Sequence, residues 1–229
     1  MCLLEHLDNL ESADMCGRFF LITDLAKIAE EFGAGRILAD FKPDRNIAPG
    51  RYIPVLINQN GQNILASLCW GLIPSWSKDV SIGNKMINAR AETIAVKPSF
   101  KNAFQKRRCL IPVDGFYEWQ KSGKMKKPFS LSLKSGKPFG LAGLYETWIS
   151  PEKKPIHTCT IITTEANELI QSIHDRMPVI VSKECYNFWM DPANRDQAGL
   201  LAVLKPYPAG EMILTPADPF ILNKPQREK

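Results

Sequence analysis

From Arg108 to Thr164 the chain is a succession of short apolar, β-branched and aromatic runs: CLIPV, FYEW, PFSLSL, FGLAGLYETW and HTCTIITT. Turn residues such as Ser122-Gly123 and Ser135-Gly136 separate them. Runs of this kind read as strands. Connections this short join antiparallel neighbours, because a parallel crossover needs a dozen or more residues and usually a helix. Upstream, YIPVLIN at 52–58 and NILASLCW at 63–70 flank Asn60-Gly61, a hairpin signal. Thr23 and Asp24 open a helix whose Leu25, Ile28, Ala29 and Phe32 share one face, and Gly33 closes it. Further short helices are expected to begin near Asn88 and Pro98, and to cover 165–172 and 183–190. Strands outnumber helices. The expectation is a single α+β domain with a mainly antiparallel, barrel-like β-sheet and flanking helices. The tail from about 216, rich in Pro and charge, is expected to be loosely held.

Composition excludes several classes. With 45 % apolar and 23 % charged residues the chain has the means to bury a core, which rules against disorder. It contains no apolar run long enough to span a bilayer, and its first twenty residues lack a basic segment before an apolar one, so neither a membrane span nor a signal peptide is expected. The net charge of +5 fits a polyanionic partner without requiring one. The six cysteines form no C-x-x-C pair and no regular spacing with the three histidines. A disulfide framework and a zinc site are therefore not expected, and a reducing, cytoplasmic setting is.

Four polar residues stand out. Cys16 lies in Met15-Cys16-Gly17-Arg18. An isolated cysteine is usually a small buried hydrophobe, but this one becomes N-terminal if translation begins at Met15 and that residue is removed. An N-terminal cysteine is a 1,2-aminothiol. Its amine, with a pKa near ~7.7–8, is partly neutral at pH 7 and can add to an aldehyde. Its thiolate can then close a five-membered thiazolidine on the same carbon, helped by high effective molarity. An internal cysteine offers only a resonance-delocalised amide nitrogen. Asn88 and Arg90, in NARAET, read either as a helix N-cap with a solvated turn or as a side-chain amide that holds the nucleophile beside a phosphate-binding guanidinium. Glu118, in GFYEW, is either a residue of the polar face or a desolvated acid suited to proton transfer. His174, in IHDRMP, is either structural or a proton carrier, with Arg176 close by as a fixed positive charge. Trp70 and Trp76 bracket WGLIPSW; Trp70 reads as core and Trp76 as a stacking surface for bases.

Eight blocks in order resemble the SRAP family (SOS-response-associated peptidases): MCGRFF at 15–20, NIAPG at 46–50, WGLIPSW at 70–76, NARAET at 88–93, RRCLIPVDGFYEW at 107–119, AGLYE at 142–146, IITTEAN at 161–167 and IHDRMPVI at 173–180. The resemblance implies the SRAP fold and a DNA-damage enzyme that crosslinks its N-terminal cysteine, Cys16, to the ring-opened aldehyde of abasic sites in single-stranded or junction DNA. It implies that Asn88 orients the nucleophile and that Glu118 and His174 share the proton transfers, in an order left open. Arg18, Arg90 and Arg176 fall where the family contacts the DNA backbone. No cofactor or metal is implied. The expected protein is a cytoplasmic monomer, nucleoid-associated during DNA damage if bacterial.

One departure from the family pattern stands at the N terminus, where residues 1–14 precede Met15 and form an extension to the 15–229 SRAP domain. Translation from Met15, self-removal of the leader by an autopeptidase activity, and persistence of the extension with disabled chemistry are the three readings. The last would leave a non-covalent reader of damaged or modified DNA. A true cysteine peptidase using Cys16, Glu118 and His174 is the other alternative.

Overall fold

The computed structural model of the chain describes residues 17–122 and 125–219. β1 (Arg18–Leu21) leads into α1 (Leu25–Phe32), the short β2 (Arg36–Ile37), β3 (Asp44–Ile47) and a hairpin of β4 (Tyr52–Gln59) and β5 (Gln62–Trp70). β6 (Asn88–Arg90) and α2 (Pro98–Lys106) precede five long strands: β7 (Arg108–Val113), β8 (Gly115–Ser122), β9 (Met125–Leu133), β10 (Phe139–Ile149) and β11 (Pro155–Glu165). β12 (Arg176–Pro178), β13 (Ile180–Val181), α3 (Tyr186–Met190), α4 (Gln197–Val203) and β14 (Met212–Pro216) follow.

Five strands close into a barrel. In the order β5–β4–β7–β10–β11 each neighbour is antiparallel, and β11 returns to β5 as a parallel pair through Thr158↔Cys69 and Cys159↔Trp70. Closure leaves these strands no open edge along most of their length. Its strands are buried on both faces, with Leu56, Leu65, Leu110 and Leu144 on one and Leu68, Ile111, Leu141 and Ile161 on the other. A second sheet, ordered β14–β9–β8–β1–β3, carries the N-terminal strand between β8 and β3.

The local signals explain much of this. Asp24 caps α1 by accepting from the Lys27 N–H, and Gly33 ends it in the left-handed region at φ 63°. Asn60 and Gly61 both take positive φ, as a two-residue hairpin with matched strand twist requires. Gly115 starts β8 without a side chain for a steric reason. A Cβ there would lie 2.3 Å from Phe20 Cζ and 2.5 Å from the Leu131 carbonyl oxygen.

Two helices and one cysteine correct the sequence reading. Asn88 itself begins a strand, and the helix expected near it is a single 3-10 turn at Ala91–Thr93: Asn88, Ala89 and Arg90 pair in parallel with Ile161, Ile162 and Thr163. Residues 165–172 form no helix either. After Glu165 the chain makes tight turns held by Asn167, whose side-chain oxygen accepts from the Ile170 N–H and whose amide donates to the Tyr207 carbonyl. Side-chain bonding to nearby backbone competes with helix here. Cys69 is disulfide-bonded, whereas Cys109, Cys159 and Cys185 carry free thiols. Spacing along the chain is silent about pairs made by distant segments. The terminal tail beyond 219 lies outside the described residues.

Arg108 ties the helices to the barrel. It is 3 % exposed, and its guanidinium donates to the carbonyls of Trp189 (2.8 Å), Phe104 (2.6 Å), Gln105 (2.9 Å), Asn194 (3.3 Å) and Asp191. Most of these acceptors end α2 and α3, where orphan carbonyls and the helix dipole favour a cation. Burial lowers its pKa to about 10, so it stays charged. Arg108→Met should therefore lower unfolding stability by about 3 kcal/mol or more, because buried carbonyls lose charged partners. A shift of the urea midpoint at constant m-value is the check.

Candidate active site

The site assembles around the entry to β1. Arg18 pairs with Tyr117 and Phe19 with Phe116 on β8, while Phe19 faces Ile47 on β3. The β8 register carried one residue toward the N terminus sets the buried Gly17 opposite Glu118. The Phe19 ring packs against Trp70 with centroids 5.2 Å apart. Trp70 in turn donates from Nε1 to the Ile87 carbonyl at 2.9 Å, fixing the segment that delivers Asn88. β1 thus lies between β8 and β3, with Phe19 against Trp70 at the end of β5. Cys16 itself lies outside the described residues.

Glu118 is the most perturbed acid of the site. It is 3 % exposed, and its Oε1 finds no hydrogen-bond partner among the described residues. Burial raises its pKa to about 8; a backbone hydrogen bond from Trp119 opposes the shift, and the charge of Asp175 adds to it. Of the two sequence readings, polar face or desolvated acid, the second holds. At neutral pH this carboxyl carries its proton and is a hydrogen-bond donor.

His174 is brought to the same side by the turn after β11. Gln120 on β8 donates to the Ser172 carbonyl at 3.0 Å, anchoring that turn to the strand that bears Glu118. The Arg176 backbone N–H donates to His174 Nδ1 at 3.0 Å. In the neutral ring this puts the proton on Nε2. Asp175 Oδ1 stands 3.1 Å from the same Nδ1, an ion pair only if the ring is protonated.

The arginines fall into two groups. Arg90 is exposed at the end of β6, beside Thr163 on β11. Arg18 and Arg176 are half-buried and engaged: Arg18 Nη1 donates to Asn46 Oδ1 at 2.9 Å, and Arg176 makes a two-pronged ion pair with Glu92 at 2.6 and 3.0 Å while donating to the Thr163 carbonyl at 2.7 Å. The Arg176 bond holds the Glu92 carboxyl below its ordinary range. Glu92, Asn46 and Thr163 were not singled out from the sequence. Glu92 and Asn46 lie inside the NARAET and NIAPG blocks, where the offset from Arg90 and the polar position in an apolar strand were the available signals. Trp70 is core and fully buried, and Trp76 is 59 % exposed. Among the described residues no group of three or more His, Cys, Asp or Glu is placed to hold a metal ion. No helix among them is long and apolar enough to cross a membrane.

A closed five-strand barrel, with Glu118 buried on the strand paired to β1, defines a class, and the family comparison agrees with it. The model for SOS response associated peptidase (SRAP) matches residues 15–223, and the chain belongs to this family. Among its relatives is the abasic site processing protein YoqW of Bacillus subtilis (strain 168), 48 % identical over 201 residues that span 86 % of this chain and 90 % of that protein. The abasic site processing protein HMCES of Gallus gallus is 29 % identical over 213 residues, covering 79 % of this chain and 63 % of its own length. A crystal structure of a protein from Bacteroides thetaiotaomicron superimposes with a TM-score of 0.82 at 26 % identity, over 92 % of this chain and 100 % of that one.

Proposed function

We propose that the protein processes abasic sites in single-stranded DNA by covalent capture through Cys16. The observation that carries the reading is the buried Glu118 opposite Gly17, the residue next to Cys16. Relatives named for abasic site processing share most of the chain. In the reaction the neutral amine of an N-terminal Cys16 adds to the open-chain aldehyde. The carbinolamine hydroxyl leaves as water, taking a proton from Glu118. The thiolate then adds to the imine carbon, the imine nitrogen takes up a proton, and a thiazolidine closes. Aldehyde and aminothiol are joined with net loss of one water. His174 Nε2–H serves the opening of the deoxyribose ring, and Asn88 orients the amine or thiol.

Incubation with a single-stranded oligonucleotide bearing one abasic site should give a complex that survives denaturing electrophoresis. The same oligonucleotide reduced to the sugar alcohol should give none. An equal yield from both would overturn the reading, because the aldehyde would then be irrelevant.

Arg90 and Trp76 supply the non-covalent grip, on phosphate and on a base face, consistent with their exposure. Arg18 and Arg176 already serve Asn46 and Glu92, so their phosphate contacts would be shared with those side chains. Arg90→Ala should weaken binding of single-stranded DNA across sequences and flatten log K against log[salt] by about 0.7, one phosphate contact. A titration across a salt series reads this; an unchanged slope removes Arg90 from the interface.

The second reading, a non-covalent reader of damaged DNA, is favoured by the residues before Met15. If they stay attached, the Cys16 nitrogen is an amide and the capture chemistry is closed.

A further inference from the structure

We propose that Glu92 is a positioning residue that selects, through Arg176, which ring nitrogen of His174 carries the proton; this rests on the capture reading above, in which Nε2–H is the donor. His174 Nδ1 has two neighbours that make opposite demands. The Arg176 backbone N–H lies 3.0 Å away and needs Nδ1 as an acceptor, which leaves the proton of the neutral ring on Nε2. Asp175 Oδ1 lies 3.1 Å away and needs Nδ1 as a donor, which leaves Nε2 bare. The neutral ring satisfies only one of them. A hydrogen bond to a carboxylate is the stronger type, so Asp175 would win if both partners were equally free to move.

Arg176 is not free. Its guanidinium bonds both Glu92 oxygens, at 2.6 and 3.0 Å, and donates to the Thr163 carbonyl at 2.7 Å. One side chain thus braces three segments: the turn after β6, β11 and the start of β12. β12 is three residues long and begins at Arg176, opposite Glu165 on β11. The amide that meets His174 therefore sits at the end of a short strand, where backbone opens readily unless a side chain holds it. Asp175 is the opposite case: its side chain is 88 % exposed, so water competes for the carboxylate. A held amide against a solvated carboxylate selects the Nε2–H form. Glu92 supplies two of the bonds that hold the amide. The chemical consequence is direct. When the deoxyribose ring opens, Nε2 gives its proton to the ring oxygen as the C–O bond breaks, and the anomeric hydroxyl loses its proton to water as its oxygen becomes the carbonyl. In the other tautomer Nε2 carries a lone pair and has no proton to give.

The test reads the tautomer and the reaction separately in the full chain. Long-range proton–nitrogen correlation spectra, taken with the imidazole neutral, distinguish a protonated ring nitrogen from a bare one, and His174→Asn assigns the signals. Wild type should show Nε2–H. Glu92→Ala truncates a half-exposed side chain and should move the ring mainly to Nδ1–H. It should also slow adduct formation at saturating abasic oligonucleotide by roughly tenfold or more. Affinity for single-stranded DNA should not fall, because Arg176 keeps its charge and loses a competing anion. Adding Asp175→Ala removes the rival acceptor and should return the Nε2–H signal and most of the rate, a recovery that general loosening of the fold would not give. Nδ1–H in the wild type, an unchanged tautomer in Glu92→Ala, or a shift that the second substitution does not reverse overturns the proposal. A tautomer that shifts and recovers while the rate stays constant supports the positioning and removes His174 from the capture step. The same tautomer pattern in proteins that form no adduct at all supports the positioning and sinks the capture reading instead.

Discussion

Cys16→Ala is expected to abolish the denaturation-resistant complex with abasic DNA while leaving affinity for intact single strands within about twofold, since that affinity rests on phosphate and stacking contacts. The loss should be total because the ring cannot close without the thiol. Alanine keeps the N-terminal amine, so an imine can still form, but no thiol remains to close the ring. Imine alone hydrolyses on denaturation. Cyanoborohydride should therefore rescue a trapped product in the alanine variant, and electrophoresis with and without the reductant separates the two steps. A stable adduct from Cys16→Ala without reductant would place the nucleophile elsewhere.

Glu118→Gln carries the second large effect. The amide fills the same space but cannot give up a proton, so crosslinking should slow by roughly 10²–10⁴-fold with little change in DNA affinity. The pH profile adds a sharper signature. Wild-type capture needs a protonated Glu118, present below about 8, and a neutral amine, gained as pH rises toward ~7.7–8; the product is bell-shaped near neutrality. In the Gln variant the alkaline limb should vanish. Stability moves oppositely. The folded-state pKa of about 8 exceeds the ordinary 4.5, so the native state holds a proton that the unfolded chain releases between those values. Native stability is therefore fully present below 4.5, declines as pH rises toward 8, and is flat above. Glu118→Gln should be more stable than wild type at pH 8, by an amount of the order of a few kcal/mol, and nearly equal to it at pH 4. Equal urea midpoints at pH 8 would show that Glu118 is not held in an apolar setting.

Local rules made α1, the Asn60-Gly61 hairpin, α2 and the strands from Arg108 legible, because caps, turn residues and apolar runs act over a few residues. Non-local pairing was not legible. Asn88 reads as a helix cap in its own neighbourhood, and only Ile161 and Thr163, far along the chain, turn it into a strand. The 165–172 stretch has helical composition, but Asn167 takes up the backbone groups a helix would have used. The individual residues Asn88, Glu118 and His174 were ambiguous one by one and became a set only through the order of the blocks around them. Burial of Glu118 depends on its packing between sheet and turn, which flanking Tyr117 and Trp119 suggest without fixing. The Arg176–Glu92 pair and the Cys69 disulfide are contacts between segments that carry no shared local pattern.

The central claim is that a free N-terminal Cys16 captures the abasic aldehyde. Intact mass spectrometry of the expressed protein, before and after incubation with a single-stranded oligonucleotide carrying one abasic site, tests it most directly. The account predicts a chain beginning at Cys16 that gains the mass of the oligonucleotide less one water. A chain that retains residues 1–15, binds the oligonucleotide and gains no mass would contradict it and leave DNA binding without capture.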